Sequence, residues 1–178
     1  MNLLSVLLLT PFALSLPSPH PHRQHHTFHL SNLTYSSTLL YSTPSHLAVS
    51  SATFSFAFSN PAAYSAKCVG YSSGQTSDAG FFAWPQTFTC TNEEAAEGNV
   101  TFVWHRYGDG GLGVNQTWEC GGDKYLGTAT TDVGLQCQTT FRQNPNFTWP
   151  NPGGPYSTAD TRCNTLDLRV EPSVRKLE

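Results

Sequence analysis

The residues best equipped for chemistry stand near the start of the chain, in His20-Pro21-His22-Arg23-Gln24-His25-His26-Thr27-Phe28-His29. Imidazole ligates copper, zinc and nickel, and closely spaced histidines on an exposed segment chelate without a preformed pocket. A mature chain beginning at His20 would grip copper between its amine and its ring, as the copper-dependent polysaccharide monooxygenases do. That requires cleavage after Pro19, whereas Ala13-Leu14-Ser15 offers the small residues that a signal peptidase prefers. The arm therefore reads first as a disordered tail whose histidines do no chemistry, with weak adventitious metal binding placed ahead of catalysis. No metal site and no cofactor are assigned.

Other chemistries find less support. Asp109, Glu119, Asp123 and Asp132 lie at or near expected hairpin ends and could converge on one rim as the two carboxylates of a glycosidase. Turn chemistry alone would also put them beside glycines. His105 is a lone strand histidine, and His46 stands apart. No Gly-x-Ser-x-Gly elbow is present. Glu93, Glu94 and Glu97 read as a solvated loop. Asp109-Gly110-Gly111-Leu112-Gly113 lacks a following Lys-Ser or Lys-Thr, so it is a hairpin and not a phosphate cradle. No catalytic residue is named. Aromatic residues are the stronger lead. Phe81-Phe82-Ala83-Trp84-Pro85 and Phe147-Thr148-Trp149-Pro150 fall in loops, where they either cap the ends of the fold or line a binding surface. Phe82, Trp84, Phe147 and Trp149 are the candidate ligand-binding residues.

The elements that would position them read as strands. Ala52, Phe54, Phe56 and Phe58 alternate with Thr53, Ser55, Ala57 and Ser59 up to the turn at Asn60-Pro61, a half-buried strand. Tyr64 to Tyr71 alternates again, a Gly/Ser-rich loop runs from Ser72 to Gly80, and Gln86 to Cys90 is a short strand. Val100, Phe102 and Trp104 lead into the Asp109-Gly110-Gly111 reversal. Leu112, Val114, Gln116, Trp118 and Cys120 share one face of the returning strand. Tyr125 to Thr131 runs out after Gly121-Gly122-Asp123; Val133, Leu135, Cys137, Thr139 and Phe141 come back. A long irregular loop spans Gln143 to Pro155, and Leu166, Leu168 and Val170 form a last strand before Pro172. About eight strands and no long helix predict an all-β fold, a single antiparallel β-sandwich or β-barrel stabilised by disulfides.

Composition and punctuation set the limits. The chain has 178 residues, enough for one domain with a real core. Only 12% of residues are charged, about half the usual share, and the net charge of −3 includes no basic block. Nucleic acid is excluded as a partner on that ground. The apolar run from Leu3 to Leu16 is shorter than the roughly 20 residues of a membrane span and is broken by Pro11. It reads as a secretory signal. The expected organisation is a signal peptide at 1–15, a Pro/His-rich disordered arm at 16–26, the β domain at 27–172 and a tail at 173–178, with no membrane association.

Export agrees with two other features. Asn32, Asn99, Asn115 and Asn146 each open an Asn-x-Thr acceptor for N-glycosylation. Cys68, Cys90, Cys120, Cys137 and Cys163 show no Cys-x-x-Cys spacing, so disulfides are expected and not a metal or redox site. Cys68–Cys90 and Cys120–Cys137 are the favoured pairs, leaving Cys163 odd and free to link two chains. Fifteen pairings are possible, and sequence does not choose between them.

The Phe28-to-Thr34 strand, the aromatic strand Phe54-to-Phe58, Cys68, Phe88-Thr89-Cys90 and the paired segments Val100–Tyr107 and Val114–Cys120 together resemble the Alternaria-major-allergen-like family of small fungal secreted proteins. The resemblance covers about Thr27 to Val170. It implies a compact β-barrel or sandwich, export from a fungus, no established catalysis and action at a plant or animal host. It also implies a disulfide-linked dimer, here through Cys163, and binding of small phenolic ligands or plant defence proteins. The His-rich arm and the Gln143–Pro155 loop depart from the family. The resulting reading is a secreted, effector-like or allergen-like binding protein without catalysis, directed at a host protein or small apolar ligand. A carbohydrate- or cell-wall-binding protein is the first alternative, with polysaccharide as partner. A copper-dependent oxidative enzyme using the histidine arm is the second.

Overall fold

A computed structural model describes residues 27–44, 48–61, 64–92, 98–106, 111–150 and 153–178. The expected signal peptide and disordered arm lie outside these residues, as do His46, Asp109 and the three glutamates of 93–97. Two antiparallel sheets pack face to face and do not close on each other, so the fold is a sandwich and not a barrel.

The larger sheet is built on β1 (Phe28–Tyr41), a strand of 14 residues. Beside it on one side run β2 (Ala48–Ser59), β3 (Ser65–Ser73) and β5 (Thr91–Asn92). On its other side β1 pairs with β10 (Ser157–Cys163) through one half and with β11 (Leu166–Val170) through the other, and β9 (Cys137–Gln143) closes the edge. The smaller sheet runs β12 (Ser173–Leu177), β8 (Asp123–Thr131), β7 (Leu112–Cys120), β6 (Asn99–Trp104), β4 (Thr87–Thr89).

Period-two sequence produces the core directly. Ala52, Phe54, Phe56 and Phe58 of β2 are buried, facing Val100, Phe102 and Trp104 of β6 and Leu112 and Val114 of β7. Alternate residues of a strand point to one face, so each sheet supplies a continuous apolar inner surface. The rings interlock: Phe54 stacks on Trp104 at 3.9 Å between centroids, and Phe56 meets Phe102 edge-on at 5.1 Å. Each such buried phenylalanine is worth about 1.5–3 kcal/mol of hydrophobic stabilisation. In β1 the alternation slips once, between Leu30 and Leu33, both buried. Asn32 occupies the bulge at φ 53, a left-handed conformation that asparagine tolerates. Gln116 keeps the alternation despite its polarity, because its side-chain oxygen accepts a hydrogen bond from Asn60 Nδ2 at 2.9 Å.

Three expectations need correction. The supposed tail at 173–178 contains β12, which pairs with β8 and anchors through Lys176–Asp123 at 2.8 Å. Strand β10 lies where no strand was expected, because Ser157, Thr158, Asp160 and Thr161 carry no apolar alternation. Its buried hydroxyls are satisfied across the sheet instead, as in Thr139–Thr161 at 2.8 Å. The disulfides are Cys68–Cys90 and Cys137–Cys163, so Cys120 does not bond Cys137 and Cys163 is not the odd thiol. Register decides this: Cys137 and Cys163 are direct cross-strand partners in β9 and β10, whereas Cys120 faces Asp123 across the β7–β8 turn. A dimer through Cys163 is therefore excluded. Cys120 is free and exposed. One thiol per chain should react with a disulfide reagent under native conditions, and Cys120→Ser should abolish the reaction. Reactivity surviving that substitution would contradict the pairing.

Candidate functional site

One end of the sandwich gathers the loops singled out by sequence. The segment after β3 is tied to the start of β2 by the Gly74 N–H donating to the Ser50 carbonyl at 3.1 Å. The loop between β9 and β10 is tied to the end of β1 by the Tyr156 N–H donating to the Tyr41 carbonyl at 2.8 Å. Tyr41 and Ala48 are themselves paired, so the two loops flank the β1–β2 turn. Trp84 belongs to the first loop and is 83% exposed; Trp149 belongs to the second and is 72% exposed. Phe147 is half-buried against the Tyr156 ring, edge-on at 5.3 Å.

Phe82 does not belong to this surface. It is 5% exposed, and its ring packs on Trp104 at 5.1 Å and Phe88 at 6.0 Å. Phe81 beside it is fully buried. The short 3-10 turn Asp78–Gly80 swings both phenylalanines inward, with Phe82 at φ 55, and leaves only Trp84 outside. Phe82 is a core residue.

What seats that turn is a polar cluster that sequence reading missed. The Asp78 carboxylate accepts hydrogen bonds from Tyr35 Oη at 3.0 Å and from Ser37 Oγ, both on β1, and pairs with Arg106 just past β6. Arg106 also donates to Tyr35 Oη and, at 3.2 Å, to the Asp78 carbonyl, while its guanidinium lies 4.1 Å from the Tyr35 ring centre. Tyr35 is buried, and the cluster clamps the Trp84 loop to both sheets, to β1 through Tyr35 and Ser37 and to the end of β6 through Arg106. Its only trace in the sequence is Tyr35 standing in phase with Leu33 and Leu39; Asp78 reads as loop and Arg106 as a strand end.

Burial, above all, pushes the Tyr35 phenol well above its ordinary value of 10.0; Asp78 adds to this, while Ser37 and Arg106 oppose it. Between the unfolded and folded values the native chain keeps a proton that the unfolded chain has released. Its contribution to stability is therefore complete below about pH 10 and declines as pH rises further. Burial raises Tyr64 in the same sense, against its hydrogen bond to Asn92. Melting temperature should fall from about pH 10 upward, and Tyr35→Phe should flatten that fall while lowering the baseline. An equally steep alkaline fall in the variant would remove Tyr35 as its source.

The remaining candidates scatter. Asp123 and Asp132 stand at opposite ends of β8, and Glu119 and Asp123 are engaged by Lys124 at 3.3 Å and Lys176 at 2.8 Å. Glu119 and Asp123 thus share the β7–β8 hairpin end, each engaged by a lysine, and Asp132 stands apart from them. His29 begins β1 and His105 follows β6, at opposite ends of the sandwich. Among the described residues no group of three His, Cys, Asp or Glu could hold a metal ion. Nor is any helix there long and apolar enough to cross a membrane. Of the acceptor asparagines, Asn32, Asn99 and Asn146 are exposed and Asn115 is half-buried on the outer face of β7.

No curated protein and no solved structure matches the chain. A family model does, that of Alternaria alternata allergen 1, over residues 30–163, which take in both disulfides, the core strands and the two loop tryptophans. With the sandwich and the disulfides on the same span, the chain belongs to the Alternaria alternata allergen 1 family.

Proposed function

We propose that the chain is a secreted fungal protein that works by binding, and that its contact surface is the loop end carrying Trp84 and Trp149. The carrying observation is the exposure of these two indoles on a small domain whose other tryptophans pack inward or against neighbours. Exposed tryptophan is costly in water and is the residue that most often concentrates binding energy at an interface. The Asp78–Arg106–Tyr35 clamp supports the same reading, since a loop held rigid loses little entropy on binding. Ser50 lies at this end too, with a buried hydroxyl that finds no hydrogen-bond partner among the described residues. Two disulfides, the apolar leader and the family support export. The partner is a host protein or a small phenolic ligand, and the four acceptor asparagines are the glycosylation sites.

Binding of a flavonoid-type phenolic, followed by tryptophan fluorescence, tests this directly. Trp84→Ala and Trp149→Ala should each weaken binding about 30-fold, the size of a hot-spot loss near 2 kcal/mol, with little change in melting temperature. Unchanged affinity in both variants would move the site elsewhere. Retention on insoluble chitin, glucan or cellulose that is lost in the same variants would favour the polysaccharide reading, since indoles also stack on sugar rings.

A further inference from the structure

The outer face of the smaller sheet holds two acceptor sequences in interlocking register. Asn99 of β6 is opposite Thr117 of β7, and Thr101 is opposite Asn115. The sequons Asn99-Val100-Thr101 and Asn115-Gln116-Thr117 therefore share one four-residue patch. Val100 and Gln116 are buried on the inner face, so alternation turns this patch toward solvent.

The two asparagines differ in surroundings. Asn115 is flanked on both sides, by Thr101 and Thr128, and is half-buried. Asn99 is exposed at the first position of β6, where β7 runs on beyond its partner, and it lines a cleft of about 470 Å³. Thr117, Glu119, Lys124 and Leu177 also line it. Cross-strand pairing sets Glu119, Lys124 and Leu177 in one row over β7, β8 and β12, with the Glu119–Lys124 pair at 3.3 Å. Gly98 brings Asn99 to the lip: it sits at φ +137, and a Cβ there would lie 2.7 Å from the Thr117 carbonyl oxygen.

We infer that Asn99 carries an N-linked glycan whose first N-acetylglucosamine occupies this cleft. The inference rests on the secreted reading above. A pyranose is amphipathic, and the cleft matches it with an apolar Leu177 wall and an ion pair facing its hydroxyl groups. The donor is a polyprenyl-diphosphate oligosaccharide. The Asn99 amide nitrogen attacks the anomeric carbon, the bond from that carbon to the diphosphate oxygen breaks, and the amide gives up one proton. Attachment at the lip makes seating in the cleft intramolecular, so no separate binding event is needed.

The test uses the full chain secreted from a eukaryotic host and peptide-N-glycosidase in heavy-oxygen water, which marks each released asparagine as labelled aspartate. Label at Asn99 is expected. Release from the native protein should be at least tenfold slower than from folded Leu177→Ser and Lys124→Ala variants, in which the cleft is opened. Secreted protein without label at Asn99 overturns the inference and Asn99 as a glycosylation site, and leaves the secreted reading standing. Label with equal release rates in all three proteins overturns the seating. Retention of the chain inside the cells overturns the secreted reading, and the inference with it.

Discussion

Asp78→Ala should destabilise the protein by about 3–5 kcal/mol, the usual cost of stranding one member of a buried ion pair. The Asp78 and Arg106 side chains are only 24% and 11% exposed, and the same carboxylate accepts from Tyr35 and Ser37. Removing it leaves a guanidinium and two hydroxyls short of an acceptor in the space between the sheets. Arg106→Met should cost a similar amount for the mirror-image reason. Because one interaction is lost in either case, the double variant should fall well short of the sum, with a coupling of at least about 1 kcal/mol. Urea midpoints of the four proteins measure this. A loss below about 1 kcal/mol for Asp78→Ala would show the cluster to be solvated in solution and would remove it as the support of the Trp84 loop. The variant should also weaken ligand binding, since Trp84 then rides on an unanchored turn.

Cys68→Ala with Cys90→Ala should be nearly as damaging, at about 3–5 kcal/mol. Closing a loop with a separation of 22 residues contributes about 3 kcal/mol through the unfolded chain. The rest comes from burial: Cys68 is 0% and Cys90 5% exposed, so truncation leaves space inside the core. This bond also joins β3 of the larger sheet to the residue immediately after β4 of the smaller one. The Cys137–Cys163 bond encloses a similar separation of 26 residues, yet every residue of its strand β9 is exposed. Its removal should therefore cost about 3 kcal/mol, the loop-closure part alone. Calorimetric melting of the two double variants compares them. The reverse order would mean that β9 and β10 hold the larger sheet together more strongly than their burial implies.

The class of fold was written locally. Strand β2 declares itself through Phe54, Phe56 and Phe58, and β6 and β7 through Val100, Phe102, Leu112 and Val114, because burial of every second residue needs nothing beyond the strand's own pleat. The cysteines and the strand spacing added the family. Other elements carry no such local mark. Strand β10 is made mostly of hydroxyl and charged residues that become core-compatible only when β1 and β9 supply hydrogen-bond partners. Strand β12 exists because β8 offers an open edge. Phe82 and Trp84 stand two positions apart in one aromatic loop, and only the inward turn at Asp78–Gly80 sends one to the core and the other to water. The cysteine partners, the Asp78–Arg106 pair and the facing sequons all join residues distant in the chain. Sequence by itself determined the apolar core strands, their inner faces and the aromatic loops, because hydrophobic alternation is a nearest-neighbour property. Tertiary structure alone decided the pairings, the free thiol and which loop aromatics reach solvent, because those depend on register summed over whole strands that meet only in the folded sandwich.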